Sequence, residues 1–318
     1  QTSFNSAGAQ AAGATVAQSN DAGIAQNLAA VNECDEAGAG DNIALCKNQA
    51  QNNIESITQT NTATVADDFD QIIEVGISQD MQATNDCTEF DEGNNGDVGN
   101  IQLCENVVLN IIGPVSQTNT ATGSEVNDIS QNNDISSNQI LVANNDCDQT
   151  GLGDNLADCG NVGSNTFHAV TQSNFAAGDQ FTDFFQDNDA TFSQTLDVSN
   201  NCDETTILAT SENNGARCNI GADNFIDPLS QSNTATGQFD SQAEQDNIAA
   251  VSQNFVADNT CDSTGTNIAF CENSAFNAVQ NIIQSNSADG LLDAASTQDN
   301  DALVDQNMVL LNDCDEAD

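Results

Sequence analysis

The chain has 318 residues, of which 49 are acidic and only two, Lys47 and Arg217, are basic, so its formal net charge is −47. A surface without basic groups cannot release phosphate counter-ions, which excludes nucleic acid as a partner and disfavours an anionic membrane surface. Low hydrophobicity with high charge is typical of disorder, but a regular repeat and eleven cysteines predict an ordered chain.

The first predicted element is a 17-residue pattern that begins at Gln18 and ends at Cys34. It reads Gln-x-Asn-x-Ala-x-Φ-x-Gln-x-Φ-x-Ala-x-Asn-x-Cys, where Φ is apolar, and it recurs six times, most clearly between Gln298 and Cys314. All marked residues share one parity, so in an extended strand they point to one face. The pattern therefore predicts β-structure with a patterned inner face and a solvated, acidic outer face.

Strand length leads us to expect a break within each copy. The sixteen steps from Gln18 to Cys34 span about 53 Å when extended, whereas a typical strand spans about 17–20 Å. A second element is predicted for runs such as Gln117 to Ala121, in which Ser or Thr alternates with Gln, Asn and Ala. Pro114 and Pro228 each lie three positions before the Gln of such a run, where a strand begins or bends.

The cysteines mark the repeat boundaries. The spacing from each second cysteine to the next first cysteine is 41 once and 43 four times, whereas the spacing within a pair varies from 10 to 17. This difference predicts a constant scaffold block and an adjustable loop rich in Gly, Asp and Asn. The chain is predicted to be one repeat domain over 1–318, with a partial repeat at 1–34, full repeats at 35–87, 88–147, 148–202, 203–261 and 262–314, and a tail at 315–318.

Stacking of these units predicts an all-β, β-solenoid-like fold of about six repeats, each of roughly 53–60 residues, with disulfide-stapled loops. The inward amides predict ladders in which each side chain hydrogen-bonds its copy one rung away. An unpaired buried amide costs about 1–3 kcal/mol, so a ladder needs neighbours. The residues assigned to the ladder are Gln18, Gln26, Gln131, Gln139, Gln186, Gln194, Gln245, Gln253, Gln298 and Gln306.

Eleven cysteines without zinc-type Cys-x-x-Cys pairs predict disulfides formed in an oxidising, extracellular setting. Two pairings fit the spacing. In one pairing, each second cysteine bonds to the first cysteine of the next repeat, from Cys46–Cys87 to Cys271–Cys314, and Cys34 stays unpaired. We favour closing the variable loops, because a staple at its base constrains such a loop most; this leaves Cys314 to link a neighbouring subunit. The loop pairs are Cys34–Cys46, Cys87–Cys104, Cys147–Cys159, Cys202–Cys218 and Cys261–Cys271.

The segments Gln245-Asp-Asn-Ile-Ala-Ala-Val-Ser-Gln253 and Gln298-Asp-Asn-Asp-Ala-Leu-Val-Asp-Gln306 resemble the curlin repeat, Asn-x-Ala-x-x-x-Gln. Part of all six repeats matches, although Ile73 and Val75 replace the Asn and Ala in the second. The unit here is about twice as long, carries cysteines and lacks the curlin Gly. Curlins are secreted subunits of curli, bacterial functional amyloid fibres with a β-solenoid fold. The resemblance implies a fibre subunit with inward Gln and Asn ladders.

The negative charge of the predicted outer face leads us to consider bound cations. Acidic columns one rung apart, about 4.8 Å, lie inside the Debye length of about 8 Å, so repulsion persists in physiological salt. Bound divalent cations or a saline habitat would relieve it. Asp35, Glu36 and Asp41 supply oxygen ligands suited to Ca²⁺. No other cofactor is predicted. We expect no enzyme, because His168, the single imidazole, lies outside the repeated positions without a catalytic motif.

The predicted function is structural. No apolar stretch approaches the roughly 20 residues that span a bilayer, and a chain starting at Gln1 would fit processing after export. Because the chain begins within a repeat and stops at a loop position, we expect it to be continued by another copy. The prediction is a secreted homopolymer, whether fibre, pilus-like filament or sheath, built by strand addition. The alternative is a monomeric or surface-tethered adhesin or cation-binding module.

Overall fold

A computed structural model describes residues 2–7, 16–38, 43–65, 68–91, 99–123, 128–151, 154–178, 182–206, 215–237, 241–264, 268–289 and 295–317. These ranges are almost entirely β-strand, which confirms the all-β prediction. Across these same ranges, no helix has the length and hydrophobicity needed to cross a membrane.

The strands form three parallel sheets. The long sheet contains β2 (Val16–Gly38), β5 (Phe69–Asp91), β8 (Asp128–Gly151), β11 (Asp183–Thr206), β14 (Gln242–Thr264) and β17 (Ala295–Ala317). The medium sheet contains β3 (Ile43–Ile54), β6 (Gly99–Ile112), β9 (Asp154–Phe167), β12 (Gly215–Ile226) and β15 (Ile268–Val279). The short sheet contains β1 (Thr2–Ala7), β4 (Ile57–Val65), β7 (Val115–Gly123), β10 (Val170–Ala177), β13 (Leu229–Thr236) and β16 (Ile282–Asp289).

Each strand pairs with the strand three places along the chain, so one turn of the solenoid contains a long, a medium and a short strand. Equivalent repeat positions stand opposite each other: Gln71 pairs with Gln131, and Cys87 pairs with Cys147. This exact register between successive repeats confirms a β-solenoid-like stack, because the same side chains recur at every rung.

The solenoid is flattened into two layers. The first half of each long strand faces the short sheet, where Phe184 packs in one apolar cluster with Ala235. The second half faces the medium sheet, where Leu141 packs with Val108. Small and branched apolar residues therefore form thin core layers, and buried Gln and Asn layers separate them.

The expected break within the 17-residue pattern is wrong. Gln18 to Cys34 lie within the single strand β2, and the other long strands also run for 23 or 24 residues. A strand of this length is stable here because identical strands flank it and two shorter strands cover its inner face. The bend occurs in the opposite layer, between the medium and the short strand.

That bend is a two-residue corner. Pro114 and Pro228 both lie there, as their spacing predicts. The preceding residue donates its backbone N–H to the rung below, as Gly113 does to the Ile54 carbonyl at 2.6 Å. The connections 39–42, 92–98, 152–153, 207–214 and 265–267, which include the variable loop centres, lie outside the described residues.

We predict that Gly113→Ala destabilises the fold, because an added Cβ would lie 1.7 Å from the Glu55 carbonyl oxygen of the neighbouring corner. The expected loss is about 2 kcal/mol or more in the free energy of unfolding, measured by urea denaturation. Gly76→Ala is the matched control, since nothing lies within 4 Å of its Cβ. An unchanged urea midpoint for Gly113→Ala would contradict the tight corner.

Candidate functional site

Two Gln columns run the full height of the long sheet. In the first, the side chain of each Gln donates to the Oε1 of the preceding rung, at 2.7–2.9 Å. In the second, the same direction holds at 2.6–2.9 Å. The first column is Gln18, Gln71, Gln131, Gln186, Gln245 and Gln298, and the second is Gln26, Gln79, Gln139, Gln194, Gln253 and Gln306.

The second N–H of these amides binds the facing layer. Gln131 donates to the Phe175 carbonyl at 3.0 Å, and Gln139 donates to the Thr166 carbonyl at 3.2 Å. Each interior Gln therefore joins the rung below and the opposite sheet. Because neutral amides in a dry core gain from mutual pairing, these columns hold the two layers together.

The Asn columns donate in the opposite direction. In the medium sheet, Asn52 donates to Asn110 and Asn110 donates to Asn165, both at 3.0 Å. In the long sheet, Asn133 donates to Asn188 and Asn188 to Asn247, both at 2.9 Å. Gln amides thus point their N–H groups toward the first repeat, whereas these Asn amides point theirs toward the last.

The structure places every predicted ladder residue in one of the two Gln columns. The ladder predicted from the sequence lacks Gln71 and Gln79, which complete the two columns in the second repeat. Their spacing could have identified them, because Gln71 and Gln79 precede Cys87 by the same distances as Gln18 and Gln26 precede Cys34. The irregular Ile73 and Val75 in that repeat hid the match.

The eleven cysteines form one column where the long sheet faces the medium sheet; its interior members are buried, whereas Cys314 in the last rung is exposed. Their sulfur atoms cluster in threes within 4.8 Å of one another, as in the group of Cys147, Cys159 and Cys202. First and second cysteines alternate along this column, since each sheet contributes one per rung.

The disulfides combine both pairings considered from the sequence. The loop pairs Cys34–Cys46, Cys87–Cys104 and Cys147–Cys159 are present as predicted. The other two predicted loop pairs are wrong, because the block pairs Cys218–Cys261 and Cys271–Cys314 form instead. Cys314 is therefore bonded within the chain, and the free thiol is Cys202. The reason is geometric: each second cysteine lies between two first cysteines.

Cys202 is buried among sulfur atoms and acidic side chains. Burial is the main cause that raises the pKa of its thiol well above the ordinary value, and the carboxylates of Asp158 and Asp203 add to it. A metal would need several thiolates, but the group of Cys147, Cys159 and Cys202 holds one disulfide and one thiol. The disulfides themselves indicate an oxidising environment.

The outer face of the long sheet contains stacked carboxylates. Asp187 pairs with Asp246 one rung away, and one carboxylate oxygen of each is shielded from solvent without a hydrogen bond. Burial, followed by repulsion from Asp246, Asp189 and Asp134, raises the pKa of Asp187 to about 6. The stack therefore takes up protons more readily than free carboxylates do.

Two of the three predicted Ca²⁺ ligands lie in the described part of the chain. Asp35 and Glu36 are consecutive residues of β2, so their side chains point to opposite faces of the strand. Asp41 lies outside the described residues. His168 lies at a corner and its Nδ1 is 2.8 Å from an Asp227 carboxylate oxygen on the next rung. The imidazole of His168 therefore makes a contact between two neighbouring corners.

Comparison with protein-family models gives no match, and no curated protein and no solved structure is significantly similar to the chain.

We predict that Gln139→Met destabilises the core, because it removes both the acceptor of Gln194 and the donor to Gln79. Two buried polar groups left unpaired cost about 2–5 kcal/mol, measurable as a lower urea midpoint. Gln82→Met, on the exposed side of the same sheet, is the control and should change stability by less than about 0.5 kcal/mol. Equal effects would contradict the ladder.

We predict that stability increases as the pH falls from about 6 to about 4. A carboxyl with a raised folded pKa keeps its proton at a higher pH than in the unfolded chain, so its contribution is lost as pH rises through this window. Asp187→Asn should raise Tm at pH 7 by about 1–3 °C and weaken the pH dependence. Asp258→Asn, an exposed position on β14, is the control in the same calorimetric series.

Proposed function

We propose that this protein is a secreted structural subunit that polymerises head to tail into an extracellular filament by continuing its three sheets. The observation that carries this proposal is the complementarity of the two edge strands of the long sheet, β2 and β17.

The inner face of β17 has the composition of a core layer, but it is only half covered. Within the described residues one medium and one short strand, β15 and β16, face β17, whereas two of each face an interior strand such as β11. Val304 and Met308 are 44% and 41% exposed, whereas their partners one rung inside, Val251 and Phe255, are 2% and 0% exposed. Burial of apolar surface at about 25 cal/mol per Å² favours addition of another rung. An unpaired edge strand also offers its backbone groups to a partner.

The amide columns make the two edges of the long sheet chemically different, so addition of a second copy has a defined direction. Among the described residues, no donor reaches Oε1 of Gln298 or Gln306, so β17 presents two acceptors. At the other edge and within the described part of the chain, Gln18 donates only to the Thr62 carbonyl and Gln26 only to the Asn53 carbonyl. Each thus has a second N–H available, and β2 presents two donors. A second copy that places β2 on β17 in register satisfies both pairs.

The repeat pattern supports this register. Positions of β2 and β17 match as those of interior neighbours do, for example Asn20 with Asn300 and Ala22 with Ala302. The resemblance to curlin repeats points to the same kind of assembly, a functional amyloid at the cell surface. Disulfides are consistent with export into an oxidising environment. Six long strands at about 4.8 Å give an axial repeat of about 29 Å per subunit.

The acidic outer face fits a filament that stays dispersed. Stacked carboxylates such as Asp187 and Asp246 repel neighbouring filaments and leave growth at the edges as the favourable contact. Added salt or divalent cations should strengthen assembly by screening this repulsion between subunits.

Electron microscopy and sedimentation of the purified protein test the proposal. We predict unbranched filaments whose long axis repeats at about 29 Å, and we predict that Met308→Lys strongly reduces their formation, because a charge would be buried at the new junction. Val309→Lys, which changes the outer face of the same strand, is the matched control and should assemble normally.

Monomer stability separates a junction effect from misfolding, so Tm is measured for both variants in dilute solution. Equal assembly by the two variants would contradict strand addition at β17. A wild-type protein that stays monomeric at high concentration and in divalent salt would favour the monomeric adhesin or cation-binding module instead.

A further inference from the structure

The sulfur atoms from Cys147 to Cys314 form a continuous path in chain order. Cys202 lies within 4.8 Å of Cys218 and Cys261, and Cys261 lies within 4.8 Å of Cys271 and Cys314. Every neighbour of the free thiol is therefore a disulfide sulfur, and every disulfide has a further cysteine beside it. A single thiol in such a row is placed to exchange with the next bond.

The backbone does not distinguish the two kinds of disulfide. The loop pair Cys147–Cys159 has a Cα–Cα distance of 6.6 Å, and the block pair Cys218–Cys261 has one of 6.4 Å. Both lie inside the range of about 4.4–6.8 Å that a disulfide accepts. A second cysteine can therefore bond to the first cysteine before it or after it, and along the sulfur path the thiol can stand at Cys202, Cys261 or Cys314.

We propose that the cysteine column is a thiol relay, which moves the one free thiol from buried Cys202 to exposed Cys314 and makes Cys314 the site where the chain reacts with external disulfides or electrophiles. The relay operates within one chain and does not depend on filament formation.

Two exchange steps complete the transfer. Cys202 loses its proton, and its thiolate attacks the Cys218 sulfur; the Cys202–Cys218 bond forms and Cys261 leaves as a thiolate. Cys261 then attacks Cys271; the Cys261–Cys271 bond forms, and Cys314 leaves and takes up the proton. Five disulfides and one thiol are present before and after, so no oxidant or reductant is required.

Exposure selects the end at which the thiol reacts. Cys314 is exposed, whereas Cys202 is fully buried. The opposite route to Cys34 needs three exchanges instead of two and ends at a partly buried sulfur. Burial also raises the pKa of the Cys202 thiol, so thiolate is scarce there and the transfer is slow, on the order of minutes to hours.

Alkylation of the dilute native protein tests the relay. The protein is incubated with N-ethylmaleimide for hours near pH 8.5, the pKa of an ordinary thiol, then acidified and digested with pepsin without reduction. Mass spectrometry is expected to find the label on Cys314, together with Cys202–Cys218 and Cys261–Cys271 disulfides. Label that stays on Cys202, appears only after denaturation, or reaches Cys34 instead would overturn the proposal.

Two variants exclude direct reduction of the terminal disulfide. Cys202→Ala keeps all five disulfides but removes the thiol, so label on Cys314 should be lost. The double variant Cys218→Ala, Cys261→Ala keeps Cys202 and the Cys271–Cys314 bond but interrupts the path, and it should lose the label as well. Persistent label on Cys314 in either folded variant would contradict the relay.

Discussion

Pairing of each buried amide with its own copy one rung away is the constraint on which the structure depends. Gln139 is satisfied only because Gln79 and Gln194 stand directly below and above it in the long sheet. A slip of one residue would turn every inward side chain outward, and a slip of two would set amides against apolar residues. The thin core therefore relies on register as much as on apolar burial.

Parity within the repeat was sufficient to identify the inner face and most of the ladder, because those features depend only on local side-chain direction. Strand length was misjudged because it depends on the neighbours: Gln18 to Cys34 stays straight only where β5 and the two facing sheets support it. The corner prolines were visible in the sequence, but the opposition of one long strand to two shorter strands was not.

The cysteine pairing could not be derived from spacing. In a solenoid a second cysteine lies close both to the first cysteine of its own pair and to the first cysteine of the next repeat. The three-dimensional column explains why: Cys218 lies between Cys202 and Cys261, and either bond satisfies the same backbone. An odd number of cysteines in such a column leaves one thiol whatever the pairing. The acidic outer face was likewise predictable, whereas the uptake of protons by Asp187 required knowledge of its shielded oxygen.

The opposed directions of the Gln and Asn columns have an electrostatic consequence. Aligned amides add their dipoles along an axis, as peptide groups do in a helix. In this stack the Gln side chains, such as Gln194 toward Gln139, are antiparallel to Asn side chains such as Asn133 toward Asn188. Their moments oppose each other, so each set of columns reduces the partial charge that the other builds up at an end as rungs are added. Lengthening the solenoid thus costs less electrostatically than it would if all amide columns had one direction.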